Sequence, residues 1–202
     1  MKLYLCGIKS YQLDLGIECT AFSDPRLERT LQGIKRDHNE PQRRERTPLT
    51  RPLLIQITSR RENTSYNNTV MQAAFTLAFA AFLRIGKFTY KQVDFELGGM
   101  FRNWFLTKSS INIDQGGAHM ELTLPASKTD PFRHGIQLVI SSTEHAGCPV
   151  AAMLQLIRID SHRSPFAPLF CVGQLEQQPF TREYVVQTLR ELAIQNGLGQ
   201  GA

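Results

Sequence analysis

No apolar stretch in this sequence is long enough to cross a bilayer. The longest runs from Val70 to Leu83, interrupted by Gln72 and Thr76, where a membrane span needs about 20 apolar residues. It reads instead as a buried core helix. The start of the chain holds only a short apolar patch between Leu3 and Ile8, too short for a signal-peptide core. Cysteine is scarce and scattered: Cys6, Cys19, Cys148 and Cys171 form no CxxC pair. All four are expected to be buried free thiols in a reducing compartment. No group of His, Cys, Asp and Glu has metal-ligand spacing, and there is no Walker loop or Gly-x-Ser-x-Gly elbow. The glycine-rich tail from Gly197 to Gly201 follows a helical pattern rather than a strand, so it is no dinucleotide loop. No metal, no other cofactor and no membrane partner is expected.

What is present is an ordinary globular composition, with 42% hydrophobic and 20% charged residues. That excludes a disordered, collagen-like or coiled-coil protein. A chain of 202 residues holds one full domain, or one domain and part of another, and buries a core without disulfide or metal staples. The net charge of +5 is unevenly spread. Between Arg26 and Arg61 ten basic residues face four acidic ones, a local excess of +6, and nine of the ten are arginine. Arginine grips phosphate with a bidentate fork. The run alone allows two readings, a solvated helix and linker or an arm that tracks a nucleic-acid backbone.

Periodicity and punctuation place the elements. Two short helices are expected over Gly7–Leu15 and Pro25–Lys35, the second capped by Asp24 with Pro25 at its first position. A charged, Pro-punctuated linker follows, then a short helix around Leu53–Thr58 and a long one from Asn67 to Ile85, with Gly86 as its stop. Val93–Phe95 and the Gly98-Gly99 turn lead into a β region. Alternation over Ser110–Ile113, Met120–Leu124 and Ile136–Ile140 predicts three short antiparallel strands in a meander. Helices over Pro149–Ile159 and Arg182–Gln195, the latter capped by Thr181 and stopped by Gly197, close the chain. The fold class is α+β, mostly helical with one small sheet. Phe101, Trp104 and Phe105 read either as core or as a stacking platform for bases.

This order of elements, the Phe82-Leu83-Arg84-Ile85-Gly86-Lys87-Phe88-Thr89 run and the Ser127-Lys128-Thr129-Asp130 hairpin, 44 residues beyond Arg84, resemble the tyrosine recombinase (phage-integrase-like) family. The versions encoded by fungal genomes and mobile elements are most similar. The resemblance implies that residues 1–50 are the end of a helical core-binding region with its basic linker. Residues 51–202 would be the first part of an integrase-like catalytic domain. It implies that Arg84 holds the scissile phosphate and that Lys128 protonates the leaving 5′-oxygen. Preorganised donors and a lysine with a lowered pKa suit phosphoryl transfer. Taken alone, Arg84 also reads as a helix-terminal cation on the dipole, and Lys128 as an exposed hairpin tip.

The sequence departs from the family in three ways. None of the five histidines has an arginine three positions later, Lys87 stands where a glutamate is usual, and the chain stops where the His-x-x-Arg box and nucleophilic tyrosine would begin. Tyr184, in the first turn of a helix, reads as packing. The resemblance therefore implies a DNA-binding, integrase-like protein truncated before its catalytic box, nuclear, with double-stranded DNA as partner and a homo-oligomer forming on that DNA. Arg43, Arg44, Arg46, Arg51, Arg60 and Arg61 would contact the backbone. The alternative is a non-catalytic interaction or structural fragment whose basic arm only solubilises it.

Overall fold

A computed structural model describes residues 2–37, 48–59, 65–125, 135–175 and 177–197. The chain divides into two units, Met1–Thr47 and Pro48–Ala202.

The first unit is helical: α1 (Lys2–Asp14), a 3-10 turn (Thr20–Ser23) and α2 (Pro25–Asp37). Helix α1 begins five residues before the expected Gly7, because apolar residues at helical spacing start at Tyr4 and an interior glycine costs only about 1 kcal/mol. It ends where Gly16 turns to φ +70°. There the Ile17 N–H reaches the Gln12 carbonyl at 2.9 Å and the Gly16 N–H reaches that of Leu13 at 3.0 Å, which satisfies the last turn's carbonyls. Helix α2 starts as expected, the Asp24 carboxylate accepting the Arg26 N–H at 2.8 Å. The Arg26 guanidinium closes on the same carboxylate at 2.7 Å. Hydrogen bonds from the Arg26 side chain and backbone hold Asp24 below its ordinary pKa.

The second unit holds the hydrophobic core. Helix α3 (Arg51–Ser59) packs against α4 (Tyr66–Ala80), and α4 packs against α6 (Pro149–Ile159). Val70, Met71, Ala73, Ala74 and Leu77 of α4 meet Val150, Met153 and Leu156 of α6 in one buried cluster. Small alanines on α4 let the two helices approach. The Val70–Leu83 run is thus core, and among the described residues no single helix is long and apolar enough to cross a membrane.

Helix α4 stops five residues short of the expected Ile85, and Gly86 does not stop it. The left-handed residue is Phe82, at φ +50°. The Leu83 N–H bonds the Ala78 carbonyl at 2.9 Å and the Phe82 N–H that of Phe79 at 3.5 Å, a glycine-type ending made by a phenylalanine. The reason is tertiary. The reversal lets Leu83, Ile85 and Phe88 pack against the core, which a continued helix would not.

Beyond a 3-10 turn (Ile85–Lys87), the stretch leading to the sheet is helical: α5 (Gln92–Phe95) and a 3-10 segment (Gly98–Asn103). The aromatics there form a cluster. Phe101 and Phe105 stack at 4.9 Å, and Tyr90 meets their edges at 5.2 and 5.7 Å. These rings are core, and Trp104 beside them is 42% exposed.

The meander forms in the expected places. Strands β1 (Ile111–Ile113), β2 (His119–Leu124) and β3 (Ile136–Ser141) pair antiparallel in sequence order. Ile111 opposes Leu122, and Met120 opposes Ile140, on the inward face. Gly135, at φ +73°, closes the β2–β3 end; a Cβ there would lie 2.6 Å from the Leu124 carbonyl oxygen, so only glycine fits. A second sheet of β4 (Cys171–Val172) and β5 (Gln178–Pro179) lies between α6 and α7 (Arg182–Gln195). Two-residue strands leave no alternation to read. Helix α7 is capped by Thr181, whose hydroxyl accepts the Tyr184 N–H at 3.1 Å, and it ends at Gly197 as expected.

The cysteines correct the expectation of four buried thiols. Cys148 and Cys171 are buried, but Cys6 is exposed and Cys19 half-buried. The last two belong to the small helical unit, where no described residue is buried.

Candidate nucleic-acid interface

Of the residues expected to meet DNA, two lie in described parts of the chain. Arg51 is exposed at the first position of α3. Arg84 is exposed too, with extended backbone (φ −70°, ψ 144°) just before the Ile85–Lys87 turn. It does not end α4, since the reversal at Phe82 separates it from the helix. The dipole reading of Arg84 therefore loses its helix terminus. Its backbone carbonyl accepts the Lys87 N–H at 2.8 Å, and among the described residues its guanidinium has no carboxylate partner. Leu83 and Ile85, on either side of it, line an open apolar groove of about 480 Å³ with Phe75, Phe79 and Leu189.

Lys128 falls between the end of β2 at Leu124 and the start of β3 at Ile136, outside the described residues. Arg43, Arg44, Arg46, Arg60 and Arg61 also lie outside them.

Among the described residues of the second unit, the densest group of ionisable side chains was not singled out from the sequence. It surrounds Asp160 and Arg163 at the end of α6. The Arg163 Nε and Nη2 fork onto Asp160 Oδ2. Its Nη1 donates to the Pro168 carbonyl at 3.0 Å and to Cys171 Sγ at 3.2 Å, and Nη2 donates to the Leu169 carbonyl at 3.4 Å. These bonds use all five guanidinium donors. The Tyr66 hydroxyl donates to the other Asp160 oxygen at 3.3 Å. The Lys108 ammonium donates to the Asp160 and Arg163 carbonyls at 2.5 and 3.0 Å, where a cation also suits the helix dipole. Burial and the Arg163 charge push the Lys108 pKa down. Burial pushes Tyr66 and Cys171 up, with the Arg163 charge opposing both shifts. Lys108 thus has the weakened ammonium that proton donation needs, but it is held by two carbonyls. With Arg163 saturated, the group clamps the end of α6 to the loop that leads into β4. It is no phosphate site. The only sequence signal was Asp-x-x-Arg spacing, which on a helix end reads as an ordinary surface pair.

Cys148 caps α6. Its sulfur accepts the Thr143 N–H at 3.2 Å and the Ala151 N–H at 3.5 Å, and lies 3.4 Å from the Ser142 hydroxyl. Burial works against the thiolate, but the hydrogen bonds from Ser142, Thr143 and Ala151 outweigh it and lower the pKa to about 7. At 4% exposure this thiol is a cap rather than an accessible nucleophile. Among the described residues no group of three or more His, Cys, Asp or Glu side chains could hold a metal ion. No family model matches the sequence, and no curated protein matches it.

Proposed function

We propose that this chain binds duplex DNA as an integrase-like protein related to site-specific recombination, and that by itself it holds DNA without cutting it. The observation that carries the reading is the excess of six positive charges between Arg26 and Arg61. Arginines on one continuous stretch suit a polyanion with charges at regular spacing. The exposed Arg84 adds a donor fork on the second unit. The order of a buried helix, a three-stranded antiparallel meander and two further helices is the order that the recombinase resemblance implies. Under this reading the protein acts in the nucleus, and Arg84 and Lys128 would meet one phosphate.

The test is binding to a labelled duplex of arbitrary sequence at rising salt. Affinity should fall steeply, each phosphate contact contributing a log–log slope of about −0.9. Replacing Arg43, Arg44 and Arg46 together by alanine should weaken binding, flatten that slope by roughly 2–3 and leave the thermal transition unchanged. A flat salt response, or no binding at low salt, would instead make the arm a solubilising feature of an interaction or structural fragment.

A further inference from the structure

The helical unit turns its apolar side chains outward. Tyr4, Ile8, Tyr11 and Leu15 are 79%, 49%, 64% and 57% exposed. Leu15 follows the last residue of α1, and its N–H still bonds the Tyr11 carbonyl at 3.2 Å, so steps of four, three and four residues keep the four side chains within a stripe about 60° wide, at roughly 100° per residue. Cys6, Lys9, Ser10 and Leu13 lie on the opposite side, where Leu13 is the one large apolar side chain, 58% exposed. Steps of four, three and four are also the d–a–d–a steps of a helix-pair seam.

We propose that α1 pairs antiparallel with α1 of a second copy of this chain through this stripe. A two-fold axis passing midway between residues 9 and 10 would set Tyr4 against Leu15 of the second copy and Ile8 against its Tyr11. Every layer then stacks one ring on one aliphatic side chain, so no layer crowds two rings together and none leaves a hole. The flanks carry Gly7 and Asp14 on one side, Leu5 and Gln12 on the other, so no like charges meet. Gly7 leaves room for close approach, since an added Cβ would meet nothing within 4 Å. The tyrosine hydroxyls reach the edge of the seam and stay hydrated.

The area is that of a weak, concentration-dependent self-association. With roughly 150–250 Å² on each tyrosine and less on each aliphatic, the stripe covers roughly 500–600 Å² per copy. The pair would bury about 1,100 Å², just under the roughly 1,200–2,000 Å² of a stable interface. The dimer should therefore form with rising concentration. The proposal does not rest on the DNA reading and is measured without DNA.

Sedimentation of the full chain over about 1–500 µM should show the weight-average mass rising toward twice that of one chain, on the order expected for an interface of this size. Ile8→Lys with Tyr11→Lys places four ammonium groups in the seam and should hold the mass at one chain throughout. Lysine is a good helix former, so helicity and the thermal transition should persist. Leu13→Lys, on the far side of α1, should leave the dimer intact. To fix orientation, Leu5→Cys and Gln12→Cys are introduced with Cys6 and Cys19 replaced by serine. After oxidation and cleavage at Lys9, the antiparallel pair should yield a disulfide joining the peptide before Lys9 to the one after it. A chain that stays monomeric at the highest concentration, a dimer lost equally in Leu13→Lys, or disulfides joining like peptides would overturn the proposal.

Discussion

Arg163 is buried to 7% exposure, and Asp160 is the group that neutralises it. Removing one member of a buried pair leaves the other charge uncompensated, at a cost of about 3–5 kcal/mol. Asp160→Asn should therefore lower the unfolding free energy by roughly that amount in urea titrations, and a loss under 1 kcal/mol would contradict the clamp. The residue pair was legible as a spacing. Its burial was not, because Lys108 and Tyr66 reach it from far away in the chain. Phe82 makes the opposite case. A bulky residue at φ +50° is strained by roughly 1–2 kcal/mol, and at 91% exposure its ring returns little packing. Phe82→Gly should stabilise the protein by roughly 0.5–1 kcal/mol once the freer unfolded chain is counted. A destabilised variant would mean that the ring is held by contacts.

At the scale of elements, the starts that carry a capping or proline signal were the easiest to read. Asp24-Pro25, Cys148-Pro149 and Thr181 mark the first turns of α2, α6 and α7 by local chemistry, since proline and short polar side chains satisfy or remove free N–H groups. Cys148 escaped notice as a cap because thiols are not among the usual capping residues. Its titration gives a test. The folded thiol, near pKa 7 against an ordinary 9.0, is depressed, so its contribution is fully present above pH 9 and lost as the pH falls through 7. The stability advantage of the native protein over Cys148→Ala should therefore grow between pH 6.5 and 9.5. An advantage that is flat or shrinks with pH would show that the thiolate is not the favoured form in the folded state.

At the scale of the molecule, the proposed function is one of holding DNA without cutting it. A nicked duplex that loses its end on cleavage traps a covalent adduct whenever a tyrosine attacks phosphorus. This chain should give none. The Tyr66 hydroxyl is bonded to Asp160, and Tyr90 is buried against the Leu106 carbonyl with its pKa raised chiefly by burial. Tyr184 packs edge-on against Phe180 at 5.8 Å. Tyr4 and Tyr11 lie on α1, in the stripe proposed to pair two copies. In-line attack needs a phenol roughly 3–3.5 Å from the reacting phosphorus. An adduct that disappears in Tyr184→Phe would overturn this reading.

The sequence by itself determined the α+β class, the three-stranded meander, the starts of α2, α6 and α7 and the uneven charge, because each rests on periodicity or on chemistry within a few neighbouring residues. Tertiary structure alone decided where α4 turns back, which cysteines are buried and that Asp160 and Arg163 form an interior clamp. Those outcomes depend on contacts between residues far apart in the chain, such as Leu83 and Ile85 returning to the core or Lys108 reaching the end of α6. A local pattern carries no record of such partners.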